Sequence, residues 1–429
     1  MNLARRLWVE LTRPRGVQRH HRRTRSGVAL LLVITMVLFC TILMTELGYE
    51  ASVRMQLGRH QRDEAKAEAL AMSGVSFYRL ILTASKGLGK NPMIQQLEEQ
   101  FGLDLGDSLW QMIPYIDSGL MRMLLVSGGS VSDGEAEDFK ASGLSEEQVS
   151  ESREDQGMKR NFLDFDGEFS ASVSDEDKRI NVTGIHASNR AELMTDPTAV
   201  ALYGLMSGTR RCPDPFALED AAAEAEAERE DLDRFFLDRN LDRWQLIGNL
   251  GDWTDLDNNR LFDGGSEDAL YNNLDRDPYL PKHSGFDTFD EIRLVEGWHR
   301  DDVWERFSPQ ITVFGKGKIN INTAECDVMA AILKTYVKPE PNPDKLYQLM
   351  KAIEEQKAIS PFSSGQQFSS FVGQQGVVVD PGLRSAVSTE STVFRVVSTG
   401  EVNGASVTIE AVYDFSSSKI GRIEYWRVR

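Results

Sequence analysis

The chain has 429 residues, 41% hydrophobic and 27% charged, with a formal net charge of -18 and three cysteines. That length holds two or three packed units. So acidic a surface repels nucleic acid and anionic lipid headgroups, which leaves cations and basic protein faces as its charged partners.

The charge is unevenly placed. Arg5, Arg6, Arg13, Arg15, Arg19, Arg22, Arg23 and Arg25 crowd the first 27 residues, and Ser26-Gly27 then meets an 18-residue uncharged run from Val28 to Thr45. The run is just long enough for a helix to cross a bilayer, and the positive-inside rule keeps the arginines cytoplasmic, so everything after Tyr49 is expected outside the cytoplasm. A secretory signal carries its small residues after the apolar region. Here Gly27 precedes it, so a cut between Gly27 and Val28 removes the basic leader and keeps the helix as an anchor. Arg25 to Leu32 is similar to a type IV prepilin leader, whose peptidase cuts after the glycine and methylates the new terminus. A plain signal anchor is the alternative. Loss of residues 1–27 removes eight arginines and one glutamate, moving the formal charge from -18 to -25.

No proline occurs between Val28 and Pro92, and Ala65, Ala69, Met72, Val75 and Leu80 recur at helical spacing. This predicts one helix from Val28 to about Ala84, roughly 85 Å long, whose second half lays that stripe on a globular body. Residues 127–157 are rich in Ser, Gly, Glu and Asp and read as an acidic loop. Apolar residues at Phe165, Phe169, Ala171 and Val173 alternate with polar ones, and Ile180 and Val182 follow the turn at Asp175-Glu176-Asp177, which predicts a β-hairpin. The second arm, Lys178-Arg179-Ile180-Asn181-Val182, is echoed by Lys318-Ile319-Asn320-Ile321-Asn322. Between them lie an acidic helix near 221–237 and an amphipathic stretch at 241–250. A second helical block is expected at 323–372. Phe394 to Val402 and Ala405 to Phe415 read as a closing hairpin turning at Asn403-Gly404. Cys40 lies in the apolar run; Cys212 and Cys326 are free to pair in an oxidising compartment, although nothing in their spacing requires it.

Chemistry concentrates between Gly251 and Asp268. Asp255, Asp257, Asn259 and Asp263 stand at relative positions 1, 3, 5 and 9, the spacing by which an EF-hand loop wraps calcium, with Glu267 or Asp268 placed to complete the shell. Arg260 stands where that loop has glycine and Ser266 where it has glutamate, so the alternative is an acidic turn with Asx caps. No Cys or His lies in the loop, which speaks against zinc. Enzyme signatures are missing: there is no Gly-x-Ser-x-Gly, Walker A loop or His-Glu-x-x-His. Ile321-Asn322-Thr323-Ala324 before an apolar helix looks like a helix-hairpin-helix DNA module, but the basic glycine-rich hairpin that grips phosphates is lacking.

Taken together, these motifs resemble the K-type minor pseudopilins of type II secretion (GspK). The resemblance rests on the Gly27 leader, Asp177-Lys178-Arg179-Ile180-Asn181-Val182, Asp252-Trp253 with its Asp-rich loop, Glu291-Ile292-Arg293-Leu294-Val295, Ile319 to Ala324, and the closing hairpin. It implies an α+β fold: a long N-terminal helix on an antiparallel sheet with two inserted α-helical domains. The implied divisions are the leader 1–27; the transmembrane and stem helix 28–85; a first part of the core, 86–183; an inserted domain with the metal loop, 184–310; a core strand, 311–322; a second insertion, 323–390; and the closing hairpin, 391–429. The implied function is a subunit at the tip of a periplasmic pseudopilus, anchored in the bacterial inner membrane and processed by prepilin peptidase. It would start and cap assembly with I- and J-type subunits, then the H-type and the major pseudopilin. Most pilins carry glutamate at mature position 5, where this chain has Leu32. A membrane-centre carboxylate costs about 2.5–3.5 kcal/mol without a partner, and a subunit with none above it has no use for one. A membrane-anchored calcium-binding adhesion or pilus-tip protein is the alternative function.

Overall fold

The computed structural model describes residues 25–88, 109–120, 166–208, 221–272 and 278–429. The chain divides into two units, Met1–Asp63 and Glu64–Arg429, joined by a helix that runs from Arg25 to Leu88. In the first unit the run from Val28 is apolar and exposed. Thr35, Thr41 and Thr45 turn their hydroxyls back onto carbonyls of the preceding turn, which hides those groups inside the helix. Among the described residues this is the one helix long and apolar enough to cross a membrane.

In the second unit the helix buries Ala67, Leu70, Ala71, Val75, Tyr78, Ile81 and Leu82, a stripe stepping by three and four. This differs from the expected stripe: Val75 is buried, but Ala65, Ala69, Met72 and Leu80 face solvent. Both faces are apolar, and contact with the sheet selects the one that carries Gly74. A Cβ on Gly74 would lie 2.3 Å from Ser398 Oγ, and one on Gly400 would lie 2.0 Å from the Ala67 carbonyl oxygen. A glycine on each surface, Gly74 against Ser398 and Gly400 against Ala67, lets the helix approach the sheet this closely.

The sheet is antiparallel, in the order Tyr115–Asp117, Glu168–Asp175, Val393–Val402, Ala405–Asp414, Arg422–Val428. Phe169, Ala171, Val396, Ile409 and Ala411 alternate toward the helix and form one core with it. The closing hairpin turns at Asn403 and Gly404, both at positive φ (50° and 85°), as a two-residue turn matching strand twist requires. The fold is thus α+β, as read from the sequence.

The hairpin expected at 165–182 does not form. Glu168–Asp175 pairs with Val393–Val402, whereas Ile180–Asn181 leaves the sheet and pairs in parallel with Ile311–Thr312. The echo at Ile319–Asn320 pairs in parallel with Val387–Ser388. Residues 311–322, expected as a core strand, therefore lie outside the five-stranded sheet in two-residue pieces. The cause is the buried Asp175-Glu176-Asp177 corner. The Asp175 carboxylate accepts from Ser391 and Thr323 hydroxyls and from the Asp177 N–H, and Glu176 takes Arg179 and Arg395 at 2.6 Å each. Asp177 accepts from the Thr392 N–H at 2.6 Å and the Val393 N–H at 3.2 Å. Side chains from four segments converge here, so the chain turns into a second core instead of back on itself.

That second core is helical. Pro197–Ser207 packs on Cys326–Tyr336, with the Gly204 backbone against Ala331. Ala221–Asp238, Arg243–Thr254, Pro343–Ile359 and Gly365–Gln374 surround the pair, close to the helical blocks expected from sequence. Cys326 is disulfide-bonded; Cys212, its sequence candidate, lies outside the described residues, as does the acidic stretch 127–157.

Candidate metal centre

Helix Arg243–Thr254 delivers the Asp-rich loop. Asp242 caps its start by accepting from the Gln245 N–H at 3.0 Å, and Leu246, Ile247, Leu250 and Trp253 are buried in the helical core. Trp253 packs edge-on against Tyr271 and donates from Nε1 to Glu291 at 3.1 Å. Asp252, also buried, accepts from the Leu261 N–H at 2.9 Å and so ties the far side of the loop to the helix.

The loop then folds back on itself. Arg260 N–H donates to the Gly265 carbonyl at 2.8 Å, and Asn259 and Ser266 form an antiparallel bridge. Asn258 Oδ1 accepts from the Asp268 N–H at 2.9 Å, which starts the short helix Glu267–Asn272. The fold-back brings Glu267 to Asp255, and His283 reaches both from a separate segment: ligand atoms of these three lie within 4.8 Å of one another.

Glu267 is fully buried, yet neither of its carboxylate oxygens has a hydrogen-bond partner; Asp255 Oδ1 and His283 Nδ1 are buried without one too. Such groups cost about 1–3 kcal/mol each when left unsatisfied, more when charged. Burial pushes the Glu267 carboxyl up to about 9, with Asp252, Asp255, Asp257 and Asp268 adding repulsion. Burial likewise raises Asp252 to about 7, against the Leu261 hydrogen bond, and Asp255 to about 6, helped by Asp257. Converging carboxylates whose lone pairs accept no hydrogen bond are what a divalent cation neutralises.

The six residues read from spacing divide. Asp255 and Glu267 meet at the centre, and Asp257 and Asp268 lie near enough to act on Glu267. Asp263 is instead tied to Arg260 at 2.7 Å and to the Gly265 N–H at 3.1 Å. Asn259 is exposed on the bridge to Ser266. His283 and Asp252 escape the spacing rule; a turn-like Pro281-Lys282-His283-Ser284-Gly285 is the one sequence signal for the histidine. Gly27 and Val28 lie within the first helix.

A family model described as type II secretion system (T2SS), protein K, matches residues 214–316, the segment that contains this centre. The type II secretion system protein K of Aeromonas hydrophila is 25% identical over 176 residues, which is 39% of this chain and 49% of that protein, so the chain spans about half the length of this relative. The GspK-GspI-GspJ complex of enterotoxigenic Escherichia coli aligns at 15% identity over 69% of this chain and 96% of the matched chain, with a TM-score of 0.41. Over the stretch that holds the Asp-Trp loop, the chain is similar to type II secretion protein K, and the resemblance to the K-type minor pseudopilins is borne out.

Proposed function

We propose that this chain is a minor pseudopilin at the tip of a type II secretion pseudopilus, a structural subunit that starts and caps assembly and catalyses no reaction. The carrying observation is the coincidence, in one chain, of the protein K match at 214–316 with a membrane-length helix that continues into a helix-on-sheet core. On this reading prepilin peptidase cuts between Gly27 and Val28, the anchor stays in the inner membrane and the body stands in the periplasm. The stem face left bare by the sheet, Ala65, Ala69, Met72 and Leu80, supports packing beside the stems of I- and J-type subunits, with the H-type and major pseudopilin below. Calcium fits the centre through the oxygens of Asp255, Asp257 and Glu267, with Asp268 beside them, because Asp255 Oδ1 and both Glu267 oxygens are buried and unpartnered, Asp257 adds an exposed carboxylate, and calcium accepts six to eight oxygens in loose geometry.

Mixing the chain with I- and J-type pseudopilins in detergent and running size exclusion tests the placement. A one-to-one-to-one complex is expected. Filaments of this chain alone, or no complex at micromolar concentration, would instead favour a free-standing adhesin. Intact mass from native membranes should show a chain starting at methylated Val28; a mass that includes the arginine leader would remove the pilin reading.

A further inference from the structure

We propose that His283 supplies a nitrogen ligand to this centre, so that Asp255, Glu267 and His283 together take a transition-type divalent ion, zinc, in competition with calcium. The proposal rests on the reading above that the centre holds a cation. It goes beyond it in the identity of one ligand and of the ion.

Three observations carry it. First, the imidazole is aimed at the buried acid: Nδ1 lies 3.6 Å from Glu267 Oε2, and it is buried with no hydrogen-bond partner. That separation is too long for a hydrogen bond. Two ligands bound at roughly 2.0–2.1 Å to a tetrahedral zinc stand about 3.3–3.4 Å apart, close to this one pair, while the ligand atoms of all three residues lie within 4.8 Å of one another and would draw in on binding. Second, the other ring nitrogen, Nε2, lies 3.7 Å from Asp268 Oδ1. A metal-bound histidine usually turns its second nitrogen to a carboxylate that fixes the ring; Asp268 is the carboxylate on that side, just beyond hydrogen-bond reach. Third, His283 sits at φ 50°, a left-handed conformation that few non-glycine residues adopt. The segment is pinned there by Lys282, which bridges to Asp287 at 2.8 Å and to Glu291 at 3.2 Å, and Glu291 in turn holds Trp253. The backbone is thus held where the ring reaches the acids.

An all-oxygen calcium shell has no use for an imidazole nitrogen, whereas two carboxylates and one imidazole suit zinc and leave a fourth position open. The objection to zinc drawn from the loop sequence falls away, because the nitrogen comes from outside the loop.

The test is isothermal titration of the metal-depleted, detergent-solubilised full chain with zinc chloride and with calcium chloride, on the native chain and on His283→Asn. Asparagine tolerates the left-handed backbone, so the variant keeps the segment in place; circular dichroism confirms that it folds. We expect one zinc per chain and a zinc affinity lowered at least tenfold in His283→Asn, while calcium affinity changes less than about threefold. Equal zinc affinity in both proteins, with calcium still bound, overturns the histidine ligand and leaves the calcium reading standing. Equal loss of both ions in the variant also overturns it, since His283 would then only support the loop. Heat from neither ion with the folded native chain removes the cation centre altogether.

Discussion

Two trios of carboxylates, one buried and one buried but for half-exposed Asp255, lie in the same body and are treated in opposite ways. Asp175, Glu176 and Asp177 are almost fully buried, and each is met by hydroxyls, backbone N–H groups or guanidiniums. Burial alone would raise Glu176, but Arg179 and Arg395 outweigh it and hold the group below the usual carboxylate range. Asp252, Asp255 and Glu267 are pressed together with far less company: Asp252 accepts from the Leu261 N–H, Arg260 reaches toward it but pairs with Asp263, and Glu267 has no hydrogen-bond donor at all. A protein able to satisfy one acidic corner so completely has not run short of donors. The first trio is a joint that closes on itself, and the second is a joint that wants a cation.

Removing the internal counter-charge should hurt most. Arg395→Met leaves buried Glu176 with Arg179 as its one remaining counter-charge and Glu410 with only Arg429, and breaking a buried pair from one side costs about 3–5 kcal/mol. Urea denaturation should show a midpoint lowered accordingly, with or without metal. An unchanged midpoint would mean that the corner does not depend on its arginine. At the second trio the corresponding operation is removal of the ion. Calcium at a hundredfold excess over Kd should stabilise the fold by about 2.7 kcal/mol relative to chelator. Glu267→Ala should abolish that increment, whereas Asp263→Ala should largely keep it, because Asp263 is engaged with Arg260. The reverse pattern would restore the linear EF-hand spacing as the better guide.

The closing hairpin, the stem helix and the helical blocks were legible because each rests on local periodicity or turn chemistry: Asn403-Gly404 sets its own turn, and a proline-free apolar run can only be a long helix. What failed depended on long-range pairing. Ile180–Asn181 has the alternation of a hairpin arm, but its partner is Ile311–Thr312, far along the chain, and the charged corner before it decides the direction. The stem's buried face was misplaced because two apolar stripes share one helix, and close approach at Gly74 and Gly400 chooses between them. At the metal centre, the spacing found the loop and two of the three convergent residues. It missed His283, since a ligand supplied by another segment leaves no trace in the spacing of the loop.

The finest test of the contrast uses protons. Asp175 is pushed up to about 7 by burial and by the neighbouring Asp177, against an ordinary value of 3.8, despite the hydroxyls it accepts from. Its native form therefore holds a proton that the unfolded chain releases above about pH 4. Between those values the native state binds more protons than the unfolded one, so this group's contribution to stability is present below pH 4, falls as pH rises toward 7, and is flat above. Asp175→Asn keeps an acceptor for Ser391 or Thr323 and cannot ionise. Measured in saturating calcium, so that the second trio stays silent, the native chain minus the variant should give a stability difference that declines from pH 4 to 7 and then levels. A difference that does not vary with pH would show that the corner's hydrogen bonds hold Asp175 ionised throughout, making the first trio self-sufficient in charge as well as in contacts.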